Sequence, residues 1–262
     1  MSVILLERDI LHYEVLGRGR PILFLHGWVG SWRYWIPAMQ AISASYRAYA
    51  VDLWGFGDSA REARRYPLEQ QVELVGNFLE QMGVGRVALI GHGLGAILAM
   101  QLALQRPEWI DRLMAVSLPL EPDMLNPRMR LAAPAELADW LLGQLPPGEP
   151  ARVDAPRADL QAIQASLSDF QAIHLRESLR GLQAPCLLVY GENDPAVTLP
   201  RFDEGLALNY KTHAIAFEAS GHFPMLDEGS KFNRLLIDFL AIDADLGPVE
   251  LQLKEEWKRR VR

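Results

Sequence analysis

Short unbroken apolar runs, each followed by a stretch of helical spacing, constrain this chain more than any other feature. Residues 22–25, 46–51, 87–90 and 113–116 read as strands, and an apolar run without alternation is what a strand covered on both faces requires. Between them, residues 32–43 predict a helix that tolerates Pro37 only near its first turn. Residues 68–82 carry apolar side chains at 68, 72, 75, 78, 79 and 82, a helical stripe, and residues 96–105 form a small apolar helix that Pro107 ends. Strand–helix alternation of this kind demands right-handed crossovers and a mainly parallel sheet. Residues 3–7 and 12–16 predict edge strands separated by Arg8-Asp9. Further strands are expected at 185–190 and 213–217, for about eight in all, with a last helix at 231–240.

The alternation stops between residues 119 and 183. Eight prolines lie between Pro119 and Pro156, and the helical pieces 134–145 and 159–179 follow or separate them. The expected organisation is therefore a core of residues 1–118 and 184–262 with a helical cap at 119–183. With 262 residues, half of them hydrophobic, the chain is not disordered, and a formal charge of −7 argues against nucleic acid as a partner. The single cysteine, Cys186, excludes an intramolecular disulfide and a cysteine metal cluster, and it reads as a buried strand thiol. Glu7, Arg8 and Asp9 interrupt the apolar start, and no apolar stretch reaches membrane-spanning length; a cytoplasmic protein without membrane insertion is expected, its oligomeric state open. The histidines show no metal spacing and no phosphate cradle is present, so neither metal nor cofactor is expected. The arginines of 61–65 read as a solvated loop face. The tail 248–262, where Lys254, Lys258, Arg259, Arg260 and Arg262 interleave with Leu251, Leu253, Trp257 and Val261, reads as a solvated last element or a basic contact patch.

The turn Gly91-His92-Gly93-Leu94-Gly95-Ala96 admits two readings. It matches G-x-G-x-x-A with Asp111 about twenty residues on, a dinucleotide fingerprint. That fingerprint opens the first βα unit of its domain, however, whereas several strands precede this one, and Asp111 stands before its strand rather than after it. The other reading is the strand-to-helix elbow G-x-S-x-G, with glycine in place of the central serine. Gly93 has no oxygen, sulfur or carboxylate, so no acyl- or alkyl-enzyme forms there. Glycine is also the residue that a strained turn accepts at least cost.

Read in order, Leu25-His26-Gly27-Trp28, Asp52-Leu53-Trp54-Gly55-Phe56-Gly57-Asp58-Ser59, the turn at 91–95, Gly191-Glu192-Asn193-Asp194-Pro195 and Gly221-His222-Phe223-Pro224 resemble the α/β-hydrolase superfamily, in particular its small cap-bearing members. The resemblance spans about residues 10–242 and implies that Asp194 orients His222 as a general base, with Gly93 at the nucleophile position. It also implies an oxyanion hole from the backbone N–H groups of Trp28 and Leu94. Trp28, Trp32, Phe56, Leu94, Ser117 and Phe223 are candidate pocket residues; Ser31, Tyr34, His92, Ser117 and Cys186 make poor alternative nucleophiles, with the His92 side chain expected to point elsewhere. The missing side chain at 93 is expected to leave room for a water or ligand atom within reach of His222. The function this implies is binding of a small apolar ester, lactone or carbonyl compound, with serine-type hydrolysis lost or impaired. Two alternatives stand: a His222–Asp194 base-dependent hydrolase, lyase or cofactor-free oxygenase, and a noncatalytic ligand-binding protein.

Overall fold

Eight strands pair into one sheet: β1 (Ser2–Leu6), β2 (Asp9–Gly17), β3 (Arg20–Leu25), β4 (Tyr46–Val51), β5 (Val87–His92), β6 (Ile110–Val116), β7 (Cys186–Gly191) and β8 (Thr212–Phe217). Their order across the sheet is β1-β2-β4-β3-β5-β6-β7-β8. Only β2 runs against its neighbours; β3 to β8 are parallel. The computed structural model describes residues 2–146, 148–200, 211–242, 248 and 251, so most of the basic tail lies outside the described residues. β1 is an edge strand as expected, but β2 is not: it is sandwiched between β1 and β4, and buries Leu11 and His12. Its mixture of polar and apolar residues fits an interior strand in which Asp9 pairs with Arg64 and Arg65 and His12 Nδ1 with Asp52.

Helices α1 (Ile36–Ile42), α2 (Leu68–Gln81) and α3 (Leu94–Gln105) make the crossovers. The single helix expected over 32–43 is divided, with a tight 3-10 turn at Trp32–Trp35 before α1. Pro37 explains this, since its ring opposes the carbonyl four residues back and it offers no N–H. α3 is apolar all round and almost wholly buried, as a helix enclosed between the sheet and α2 must be.

Between β6 and β7 the chain leaves the sheet for a helical cap of α4 (Pro134–Leu142), α5 (Pro150–Asp154), α6 (Leu160–Asp169) and α7 (Leu175–Ser178). The continuous helix expected over 159–179 is broken after α6, and the Leu175 amide bonds the Leu120 carbonyl 2.8 Å away, drawing the chain back beside the exit from β6. α8 (Pro224–Asp227) and α9 (Gly229–Ala241) follow the last strand. Among the described residues no helix is long and apolar enough to cross a membrane.

The chain runs from β3 to β4 on one side, then crosses back to β5 on the other side of β3. This reversal makes the carboxyl ends of β3 and β5 a topological switch point, the place where open α/β sheets hold ligands.

Candidate functional site

Gly93 stands at that switch point, between the end of β5 and the first residue of α3, with φ +51° and ψ −110°. Its N–H donates to the Val116 carbonyl at 2.9 Å, and its carbonyl accepts from Ala96 and Ile97, each at 3.1 Å, starting the helix. The positive φ is tolerated because glycine has no Cβ to clash. The Leu94 N–H, first in the helix, has no intrahelical acceptor, and the Trp28 N–H after β3 has none among the described residues either.

His222 and Asp194 meet. The imidazole Nδ1–H donates to Asp194 Oδ2 at 2.9 Å, both side chains being 1 % exposed. The other carboxylate oxygen accepts from the Ala196 and Val197 amides at 2.8 and 3.0 Å. Burial pushes the Asp194 carboxyl up, but the His222 charge, its hydrogen bond and the two amides outweigh that and hold it below the usual carboxylate range. With Nδ1 fixed as donor, His222 Nε2 is the free nitrogen, and it is buried without a hydrogen-bond partner.

His92 does not point elsewhere: its ring belongs to the site, 4.7 Å from the His222 ring and 4.6 Å from that of Phe223. Its Nε2–H donates to the His222 carbonyl at 2.9 Å, which leaves Nδ1 to accept from the Tyr34 hydroxyl at 3.0 Å. That hydroxyl accepts in turn from the Gly27 N–H at 2.6 Å. Burial keeps His92 neutral, well below the ordinary imidazole range, so this one tautomer satisfies every group. Ser117 supplies a second donor to the His222 carbonyl, at 3.1 Å, from a backbone with φ +49°. It is a strut for the histidine loop, and its hydroxyl is spent there rather than offered to a pocket. A Cβ on Gly27 would come within 2.9 Å of His92 Nδ1, so glycine is what lets the β3 turn close on this ring. In the sequence Tyr34 and His92 read only as poor alternative nucleophiles; the nearest signal to their role is a glycine followed by aromatics after β3.

Trp28 takes the place expected to be open. A Cβ built on Gly93 would lie 3.1 Å from both Cε3 and Cζ3 of the Trp28 indole, so the ring edge, and not free space, faces the missing side chain. The indole N–H donates to Ser166 Oγ on α6 at 3.0 Å, tying the β3 turn to the cap. Phe223 packs on His92 as described, whereas Trp32 lies beside His12, ring centroids 5.9 Å apart, and its amide donates to Asp52. Trp32 makes no hydrogen bond or ring contact with Gly93, Asp194 or His222 among the described residues. Phe56 packs edge-on to His26. Cys186 opens β7 at the far end of the sheet, and burial pushes its thiol pKa up, as expected of an inert strand cysteine. The 61–65 arginines are not merely solvated: Arg64 and Arg65 pair with Asp9, and Arg65 also with Glu7.

His12, Asp52 and Asp58 bring three potential ligand atoms within 4.8 Å of one another, but these atoms are committed. Asp52 accepts from His12, the Trp32 amide and the Asp58 amide, while Asp58 faces Arg33 and Arg157. A carboxylate already facing two guanidinium groups does not suit a cation.

A family model described as the alpha/beta hydrolase family matches residues 22–235. A pimeloyl-[acyl-carrier protein] methyl ester esterase of Aeromonas salmonicida is 29% identical over 255 residues, covering 87% of this chain and 98% of that protein. The enol-lactonase of Burkholderia xenovorans LB400 superposes with a TM-score of 0.79 at 22% identity, over 92% of this chain and all (100%) of that one. A serine-to-glycine mutant of the N-acyl homoserine lactonase AidH, complexed with N-hexanoyl homoserine lactone, superposes with a TM-score of 0.78 at 21% identity, over 91% of this chain and 96% of that one. At those identities the superpositions speak for the fold. With the family model covering most of the sequence and the sheet order agreeing with it, the chain belongs to the alpha/beta hydrolase family.

Proposed function

We propose that this chain binds a small, largely apolar ester or lactone at the switch point above β3 and β5, and that serine-type hydrolysis is lost in it because residue 93 carries no nucleophile. The observation that carries this reading is Gly93 at φ +51° at the strand-to-helix corner, next in sequence to His92, whose ring lies 4.7 Å from that of His222, a histidine whose buried Nε2 has no hydrogen-bond partner. In this reading His222 is the general base and Asp194 orients it. The unpaired Trp28 and Leu94 N–H groups receive the carbonyl oxygen, and since they are backbone groups the change at 93 leaves them in place. The glycine mutant of AidH offers a parallel, as that lactonase was crystallised with its lactone bound and its serine absent. The esterase relatives favour an ester as substrate.

The test compares the parent with G93S on a short-chain p-nitrophenyl ester, alongside calorimetric titration of the parent with an acyl lactone. Saturable binding by the parent without an acyl adduct, and ester turnover by G93S that disappears in G93S/H222A, is the expected result. Ordinary esterase turnover by the parent through a covalent adduct would contradict it. The unpartnered His222 Nε2 favours a second reading, in which His222 activates water or removes a substrate proton directly. Turnover by the parent without an adduct, abolished by H222A, would establish that reading in place of the first.

A further inference from the structure

A cavity of about 160 Å³ opens at the amino-terminal ends of β3, β4, β5 and β6, the opposite end of the strands from Gly93, and the site above makes no use of it. Its polar lining is Arg20, Tyr46, Arg86, Asp111 and Arg112. The Arg112 side chain is 3 % exposed, with Nε on Asp111 at 2.7 Å. Its Nη1 donates to the carbonyls of Phe239, Leu240 and Ile242 at 2.7, 3.2 and 2.9 Å, capping the end of α9. Among the described residues this leaves Nη2 without a hydrogen-bond partner, on a side chain that is almost wholly buried and lines the cavity.

At the rim, Arg86 spends Nε on the Ile110 carbonyl at 3.1 Å, and Arg20 spends one Nη2 bond on the Tyr46 hydroxyl at 3.2 Å. Neither has a carboxylate partner among the described residues. Among the described residues the one acid that lines the cavity, Asp111, is already on Arg112. Among the described lining residues, three guanidinium charges less one carboxylate leave two positive charges around a small space, in a protein whose formal charge is −7. We propose that this cavity is a binding site for a phosphate-bearing small molecule. A phosphate monoester carries about −1.5 to −2 charges near pH 7, which matches the excess, and its oxygens suit the forked donors of arginine. Pro21, Ile22, Ala88 and Leu240 give the cavity an apolar wall for the body of such a ligand.

The probes are inorganic phosphate and phenyl phosphate, titrated calorimetrically at constant ionic strength, with benzoate as the carboxylate control. Arg20 and Arg86 are exposed, so R20M/R86M is expected to fold, as a melt matching the parent would verify; Arg112, which caps α9, is left intact. Saturable one-to-one binding of phenyl phosphate, weakened at least tenfold in R20M/R86M and with benzoate binding far more weakly, is expected. Amide shifts confined to residues 20–22, 86–88 and 110–112 would place the ligand. Absence of saturation, equal binding by R20M/R86M, or equal binding of benzoate would overturn the proposal. None of these outcomes depends on residue 93, so they stand or fall apart from the hydrolase reading.

Discussion

The Tyr34 hydroxyl is the acceptor for one buried backbone donor and the donor to one buried imidazole, so its removal leaves two groups unsatisfied at once. Tyr34→Phe should cost roughly 1–3 kcal/mol, the usual penalty for stranding a buried polar group. Urea unfolding measures it, and a loss under about 0.5 kcal/mol would show that the hydroxyl does not bridge Gly27 and His92. Asp194 and His222 were legible in the sequence because each stands in a loop after a recognisable strand, inside an ordered set of glycine-bearing motifs. Tyr34 and His92 were not, because their role arises from two segments 58 residues apart meeting over a glycine. The position of Trp28 over Gly93 was equally hidden, as it depends on Ser166 in the cap.

At the scale of elements, the strands could be read because those covered on both faces leave no room for polar residues. The helices could be read for existence but not for length, since Pro37 divides one and the return of the chain to Leu120 ends another. β8 carries a group whose titration reports on the sheet. His213 is buried in it, and burial pushes its imidazole down to about 4, from an ordinary value of 6.5. The unfolded chain therefore binds a proton that the folded chain refuses between those values. Stability should be full above pH 6.5, fall as the pH drops toward 4, and level off below it; at about 1.36 kcal/mol per unit, this one group accounts for a loss of about 3 kcal/mol. Urea titrations from pH 7.5 to 4 on the parent and on His213→Phe isolate it. The parent should lose more stability than the variant over that range, and parallel curves would contradict the assignment.

Across the whole molecule, cap and core are fastened by charge as well as by apolar packing. Asp154, at the end of α5 and 3 % exposed, takes two bonds from Arg33 at 2.8 and 2.9 Å and one from Ser31, while Arg157 of the cap pairs with Asp58 of the core. Asp154→Ala should cost roughly 1–3 kcal/mol, below the 3–5 of a fully buried pair, because Arg33 is about a third exposed and can rehydrate. It should also hasten proteolytic cleavage within 119–183, which limited digestion would show; an unchanged pattern would mean that the pair does not hold the cap. The sequence marked the cap by its prolines and missing strands, but the core partners of Asp154, Ser31 and Arg33, lie more than a hundred residues away and left no local trace.

Most directly at issue is whether residue 93 is the place from which a nucleophile is missing. Intact-mass spectrometry after treatment with a fluorophosphonate decides it, on the parent, G93S, G93S/H222A and G93S/W28L, the last because a Cβ at 93 needs the Trp28 ring to yield by a few tenths of an ångström. The parent should remain unlabelled, and G93S or G93S/W28L should gain one adduct, mapped to position 93 and lost with His222. A labelled parent, or folded serine variants that both stay unlabelled, would contradict the placement of the nucleophile at this corner.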